Sequence, residues 1–348
     1  MMIPIQEIVN DGVQAPSGEN CQPWRFVFTG QILSIFNIPE ADQSLYNSKQ
    51  KGSYIAHGAL IENISISAKH HGYSSTVSLF PNQNNNHVAD IFFELGTSEE
   101  DILYEEIYKR CTNRKVFSGE KIQADLKDEL ISSVSNSNDV SLTLIDDPIL
   151  LKKVGHALAL NEQILFENKK IHDFFYSHII WDKKDEEKAG GFFIDTLEFL
   201  PHQLGAVKVF KNWFLLSLLN KIISISKRIA QENAQKYAQS GTFGAIGVSG
   251  KDPVQWVIAG MAVQRVWLTA TKLGLAIHPC NGTLYFMEKI NDGGEGEFSK
   301  KHSTLIRSAY KTIKESFSDD KHLVFIFRIG KAEAPSARSR RLLPKITK

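Results

Sequence analysis

Two apolar stretches with the same layout constrain this chain most. Gly58-Ala59-Leu60-Ile61-Glu62-Asn63 runs on to His71-Gly72-Tyr73, and Gly260-Met261-Ala262-Val263-Gln264-Arg265 runs on to Leu273-Gly274-Leu275. Each opens with glycine and small or apolar residues, reaches polar residues a turn later, and stops at a glycine that leads into a strand. Apolar residues at Ile55, Ala59, Leu60, Ile64, Ile66 and Ala68 recur at helical spacing in 52–71, and 255–273 is apolar along most of its length. Both therefore read as buried helices closed by a C-terminal glycine. The shared layout suggests a duplicated unit; an accidental likeness between two buried helices is the alternative.

The rest of the chain reads as mixed helix and strand. The first hundred residues give helix, loop, strand, strand, helix and strands, with 31–38 alternating like a half-buried strand. Strands at 77–80 and 88–95 flank the Asn-rich linker 81–87. A second unit begins near Ser98, where Glu99, Glu100 and Asp101 open a helix expected to reach about Arg110. A helix over 123–134, a strand over 140–145 and a helix capped by Asp146-Asp147-Pro148 come next. Residues 171–239 are helical, aromatic and irregular, and read as an insertion. From Gly241 to Gly250 glycine recurs every third residue, in neither the P-loop nor the Rossmann spacing. This segment reads as a flexible loop on the substrate side or as a plain connection. Strands are expected at 275–278 and 323–329.

Composition excludes several function classes. With 348 residues, 42% of them hydrophobic, the chain can bury a large core and form two domains or one duplicated unit. Lys plus Arg is 40 and Asp plus Glu is 39, so a net charge of +1 provides no general field for nucleic acid or an anionic membrane. Cys21, Cys111 and Cys280 are too far apart for a zinc site or a disulfide framework, which favours a cytoplasmic setting, and the first residues lack the pattern of a signal peptide. The most hydrophobic window, 207–225, contains Lys208, Lys211 and Lys221. It reads as a buried or interface helix, with a membrane-surface helix as the alternative, because a span needs a longer run with fewer charges. His70 and His71 read as a helix C-terminus rather than metal ligands.

Four strings carry chemistry. Ala15-Pro16-Ser17-Gly18-Glu19-Asn20-Cys21-Gln22-Pro23-Trp24-Arg25-Phe26 turns abruptly from a polar, glycine-containing loop into an apolar strand. Its short polar side chains and close-approach glycine suit a flat polar ligand, although an ordinary helix-to-strand connection has the same composition. Arg110-Cys111-Thr112-Asn113-Arg114-Lys115-Val116-Phe117 sets two guanidinium groups four residues apart with a hydroxyl and an amide between them. That arrangement suits a phosphate; a solvated basic turn is the plain alternative. In His278-Pro279-Cys280-Asn281-Gly282 a loop follows a buried helix, and the tail carries Arg338, Arg340 and Arg341.

In this order the strings resemble the nitroreductase superfamily, whose members bind FMN between two subunits or two halves of one chain. The first is similar to the family's flavin-contacting loop, the second to its phosphate motif, the third to the backbone passing near flavin N5, and the fourth to the basic residues that return to the phosphate. The resemblance best fits the internally duplicated, Acg-like branch. It implies an α+β fold of antiparallel or mixed sheets flanked by helices, with half-units 1–97 and 98–348 forming a pseudo-dimer. It implies FMN held by Pro16, Ser17, Gly18, Asn20, Gln22, Arg110, Thr112, Asn113, Arg114, Pro279, Cys280, Asn281, Gly282, Arg338, Arg340 and Arg341. NADH or NADPH would donate hydride, and a small-molecule substrate such as a nitroaromatic or quinone would accept electrons. No metal, nucleic acid or membrane partner is implied; the chain would be a monomeric pseudo-dimer or a homodimer. Two other readings are open. The aromatic insertion could cover the ring and make a flavin-storing protein, and Cys280 with His278 could form a nucleophilic pair, although no third orienting group is evident.

Overall fold

The computed structural model describes residues 3–84, 86–96, 101–135, 138–186 and 190–348. α1 (Ile5–Gly12) leads through the polar loop into the hairpin β1 (Trp24–Thr29) and β2 (Ile32–Asn37), and α2 (Lys51–His70), β3 (Tyr73–Leu79) and β4 (His87–Leu95) come after it. α3 (Ala124–Ser132) and β5 (Val140–Ile145) precede α4 (Pro148–Leu158), whose first amides, on Ile149 and Leu150, donate to the Asp147 carboxylate. After α4 come α5 (Leu160–Glu167) and α6 (Lys169–Ser177), and the stretch read as an insertion, 171–239, continues from within α6 through the short parallel pair β6 (Ile179–Ile180) and β7 (Phe192–Phe193) to α7 (Pro201–Phe210), α8 (Trp213–Ile223) and α9 (Ile225–Ala238). The chain then forms β8 (Thr242–Val248), α10 (Pro253–Lys272), β9 (Ala276–Pro279), α11 (Gly282–Asn291), α12 (Lys300–Phe317), β10 (His322–Gly330) and β11 (Ile346–Thr347).

The fold is α+β. One sheet has the order β11-β1-β2-β4-β3, antiparallel except where β11 runs beside β1 with Ile346 opposite Phe26. The other has the antiparallel order β5-β8-β10-β9. A continuous core containing Phe26, Leu33, Leu60, Ile91, Trp256, Trp267 and Phe327 links both sheets through α2 and α10. Among the described residues, no helix is long and apolar enough to cross a membrane.

Three local expectations are overturned. The glycine repeat is neither flexible nor a plain connection: it is β8, buried at every residue. A side chain at Gly244 would meet the Phe327 ring at 2.3 Å, and one at Gly247 would meet Ser141 Oγ at 2.7 Å. Each glycine makes room for a side chain of the neighbouring strand. The helix expected to end near Arg110 is, over its described residues, a set of turns around one 3₁₀ segment, Tyr104–Glu106; Ser98, Glu99 and Glu100 lie outside the described residues, as does the 97/98 boundary. The window 207–225 is not one buried helix but parts of three, broken at Lys211-Asn212 and again at Ser224.

α2 and α10 cross with their backbones in contact. A Cβ on Gly58 would stand 2.0 Å from the Val257 carbonyl oxygen, and one on Gly260 would stand 2.1 Å from that of Ile55. Neighbouring polar residues close the crossing: Gln264 Nε2 donates to Asn63 Oδ1 at 2.7 Å, and Arg265 Nε donates to Glu62 Oε1 at 2.6 Å. Because the obstacle is backbone rather than a movable side chain, Gly58→Ala or Gly260→Ala should each destabilise the protein by about 1–3 kcal/mol in chemical denaturation. Gly205→Ala, in α7 with nothing within 4 Å of the added methyl, should stabilise by about 0.5–1 kcal/mol. Wild-type stability in both crossing variants would show that the helices separate at no cost.

Candidate functional site

The loop between α1 and β1 is bent by unusual backbone. Glu19, Asn20 and Gln22 have φ of 45°, 58° and 50°, which side chains other than glycine seldom adopt, so the surrounding contacts must hold them. Ser17 Oγ accepts from the Gln22 amide at 3.0 Å. Asn20 Nδ2 donates to the Arg340 carbonyl at 3.0 Å, Asn20 Oδ1 accepts from Arg341 Nη1 at 2.7 Å, and Gln22 Oε1 accepts from the Leu342 amide at 2.9 Å. The loop thus clamps the C-terminal tail, and the pairing of β11 with β1 holds the tail's far end.

That clamp builds a basic cavity of about 920 Å³, lined by Asn20, Arg110, Thr112, Arg114 and tail residues 337–341. Arg110 is 3% exposed and lies 4.7 Å over the Trp267 ring. One Arg110 Nη donates to the Gln14 carbonyl at 2.9 Å, and Arg341 approaches the same oxygen at 3.4 Å. The buried Nε atoms of Arg110 and Arg341 have no partner. Burial and the neighbouring cations Arg341 and Arg338 pull the Arg110 guanidinium down to about 9, and burial with Arg338 pulls Arg341 to about 10. Among the described residues no carboxylate forms an ion pair with Arg110, Arg338 or Arg341. Arg110 is buried and Arg341 half-buried, neither is paired with a described carboxylate although Asp182 and Glu186 also line the cavity, and their unmet donors suit an anion.

A second cavity of about 1660 Å³ adjoins the first, and both are lined by Pro16, Ser17, Thr112, Arg114 and Phe192. Its walls include Gly18, Glu19, Glu162 and the stretch His278–Gly282 at the end of β9, while Phe174, Phe175, Phe192 and Phe199 of the insertion roof it. Arg114 Nη1 ties this roof down through the Thr196 carbonyl at 3.0 Å. Gly282 is needed because a Cβ there would lie 1.9 Å from Asn161 Oδ1. The volume exceeds the several hundred Å³ of an ordinary single-ligand pocket. It has room for a cofactor and a second flat molecule.

Some sequence-selected residues support the walls rather than face the cavities. Asn113 Nδ2 holds the Glu333 carbonyl at 2.8 Å, and Asn281 Oδ1 accepts from the Ile326 amide at 2.6 Å while still lining the larger cavity. The Cys280 amide is taken by the Ile326 carbonyl at 2.8 Å. Cys280 Sγ lies 3.8 Å from His278 Nδ1, but the pair is poorly set up for nucleophilic chemistry. Burial pushes the thiol up to about 12, and His278 Nδ1 already accepts from Arg328 Nε at 3.0 Å. Burial first, then Arg328, Arg114 and Lys236, hold His278 neutral.

Sequence reasoning missed Glu19, Glu162, Lys236, Tyr237 and Arg328. Tyr237 donates to Glu162 Oε1 at 2.7 Å, while Glu162 Oε2 is buried without a partner. Burial raises Glu162 to about 7; burial and then Asp42 raise Glu19 to about 8, against the pull of Arg114. Burial, followed by Arg328, lowers Lys236 to about 8. Arg328, alone as a charge within an apolar strand, was the one visible signal.

Both carboxyls bind protons more tightly in the folded chain than at their usual value of 4.5. Their contribution is therefore fully present below that value and is lost as pH rises through about 7 and about 8. Thermal unfolding of the cofactor-free protein should show Tm falling over that window, with a shallower fall in Glu19→Gln and Glu162→Gln. An unchanged slope in both variants would contradict this assignment.

No family profile matches the chain. It is 24% identical over 347 residues to "Uncharacterized protein MT1398" of Mycobacterium tuberculosis (strain CDC 1551 / Oshkosh), covering 97% of this chain and 47% of that protein. It is also 24% identical over 204 residues to "Putative NAD(P)H nitroreductase acg" of the same strain, covering 57% of each. The chain thus spans about half the length of the curated relatives it matches. Among solved structures, iodotyrosine deiodinase bound to FMN and 3-iodo-L-tyrosine aligns with a TM-score of 0.38 and 13% identity, over 69% of this chain and 95% of that one. A nitroreductase with bound FMN from Bacteroides fragilis NCTC 9343 aligns at 0.37 and 10%, over 69% and 93%. The resemblance carried by the four strings is accompanied by sequence similarity to an Acg nitroreductase over 57% of the chain.

Proposed function

We propose that this chain is an FMN-dependent oxidoreductase of the nitroreductase type. It would take hydride from NADH or NADPH and reduce a small acceptor such as a nitroaromatic or a quinone. The observation that carries this reading is the basic cavity: Arg110 and Arg341 present unpartnered buried Nε donors, with Arg338 beside them and no carboxylate paired to any of the three among the described residues. A phosphate monoester supplies the missing charge and acceptors. The residues present fit FMN. Arg110, Arg338 and Arg341 would hold its phosphate, the wall shared by the two cavities would hold its chain, and residues 278–282 would face its ring. We take 1–97 and 98–348 as the two half-units contributing to this one site.

FMN, when bound, supplies the hydride chemistry, and the protein's part is to bind, orient and exclude water. Arg110 and Arg341 carry their charge through neutral pH even with their acidity increased, so anchoring needs no proton transfer. The phenylalanine roof lays apolar surface along the larger cavity, against which a bound flat molecule would displace water. Glu162, close to half-protonated at neutral pH, can hold a proton beside that space. The same roof supports the second reading, a flavin-storing protein with little turnover.

Titration of flavin fluorescence with the cofactor-free protein tests the anchoring. Arg110→Met and Arg341→Met should each weaken FMN binding by about 1.5–3 kcal/mol, the worth of a charge-assisted hydrogen bond. Unchanged affinity in both would refute the phosphate assignment. Stopped-flow mixing then separates catalysis from storage: FMN that stays oxidised with NADH and NADPH, yet bleaches with dithionite, would reject the oxidoreductase.

A further inference from the structure

We propose that α7 and α8 form a docking surface for an anionic lipid bilayer. α8 is amphipathic in the inverted sense for a soluble protein. Phe214, Leu218 and Ile222 succeed one another at four-residue steps on one face and are 74%, 44% and 69% exposed. Leu215 and Ile223 widen that strip, and Val209 extends it onto α7. Only Leu216 on α8 and Val207 on α7 are buried. Single exposed apolar side chains are ordinary, but a contiguous strip is not.

The charge around this strip identifies its partner. Residues 201–231 contain no Asp or Glu, yet they hold Lys208, Lys211, Lys221, Lys227 and Arg228. All five are exposed, and none makes an ion pair among the described residues, although Lys211 reaches toward the Trp181 ring at 6.0 Å. Elsewhere some exposed lysines are paired, Lys170 with Glu297 at 3.0 Å for example, and others such as Lys152 and Lys300 are not among the described residues; what sets 201–231 apart is that it carries no acid at all. Arg228 also lines the larger cavity, but an apolar strip on two helices that, with the turn between them, carry Lys208, Lys211 and Lys221 and no acid suits an interface where acyl chains lie beneath anionic headgroups. A second copy of this chain fits poorly, because a two-fold contact would bring the same cations together.

This inference stands apart from the proposed redox activity and needs no cofactor to test. The purified protein is sedimented with vesicles of equal parts phosphatidylglycerol and phosphatidylcholine, and with vesicles of phosphatidylcholine alone. The wild type should pellet with the anionic vesicles, less so as salt is raised. Phe214→Ser/Leu218→Ser/Ile222→Ser, changes at exposed positions that should leave Tm unaltered, should weaken binding at least about tenfold. Lys208→Gln/Lys211→Gln/Lys221→Gln should lose the preference for anionic vesicles by a similar factor, about tenfold. A wild type that stays in the supernatant, equal retention by neutral vesicles, or an apolar variant that binds like the wild type would each overturn the proposal. So would a wild-type dimer in sedimentation velocity that the apolar variant abolishes, without vesicle binding, since the strip would then belong to a second copy.

Discussion

The backbone contact between Gly58 and Gly260 sets the position of nearly everything the site uses. Two helices can touch this closely only where neither carries a Cβ, so the contact fixes where along their length they cross. The polar residues one turn on then fall opposite each other, Asn63 against Gln264 and Glu62 against Arg265. Asn63 also reaches the Asp11 and Gly12 carbonyls, both at 3.3 Å, and so pins the end of α1 just before the polar loop 15–23. On the other helix, Trp267 provides the ring on which Arg110 lies. Loop and arginine cluster therefore hang from one crossing, and the Gln14 carbonyl, just past α1, receives guanidinium groups of both Arg110 and Arg341.

The four strings prove to be parts of one another's support. Asn20 and Gln22 spend hydrogen bonds on the tail backbone and on Arg341, Asn113 on the strand exit at Glu333, and Asn281 on β10. What this scaffold assembles is electrostatically unfinished. Guanidinium groups are weakly hydrated and tolerate burial better than ammonium groups, yet grouping them without carboxylates still costs free energy. Burial first, and then the neighbouring arginines, lower the affinities of Arg110 and Arg341 for their protons. An anionic ligand converts the cost into binding.

Sequence made the local grammar legible and the long-range pairing much less so. Helical spacing with terminal glycines located α2 and α10, Asp147 caps the helix its Pro-containing sequence announces, and the alternation in 31–38 gave β2. β8 was misread because glycine usually signals freedom, whereas here it answers to Phe327 and Ser141 on strands far away in sequence. β11 pairs with a strand near the other end of the chain, which no local pattern encodes. The larger cavity's Glu162 and Tyr237 come from separate helices and carry no motif; only their meeting across the fold makes them a pair. Arg328 was readable in principle, since a lone cation in a buried strand must be held by something, here His278 and the Lys115 carbonyl.

The insertion shows why hydropathy alone could not assign its role. A windowed sum registers how many apolar residues lie in 207–225 but not which way they face. Two asparagines decide the direction. Asn212 caps α8 by accepting from the Leu215 amide at 3.2 Å, and Asn220 donates to the Phe166 carbonyl at 2.7 Å while accepting from the Ser226 amide at 2.9 Å. With one end capped and the other bolted to α5 and the start of α9, the helix cannot turn about its axis. Leu216 is held inward, and Phe214, Leu218 and Ile222 are held outward. Rotating α8 to bury them would break the two hydrogen bonds of Asn220 to Phe166 and Ser226, each worth about 0.5–1.5 kcal/mol, and would bring Asn220 toward solvent. The outward apolar face is thus a consequence of specific polar anchoring, and the roof beneath it, with Phe210 and Val207 against the cavity, is built by the same constraint.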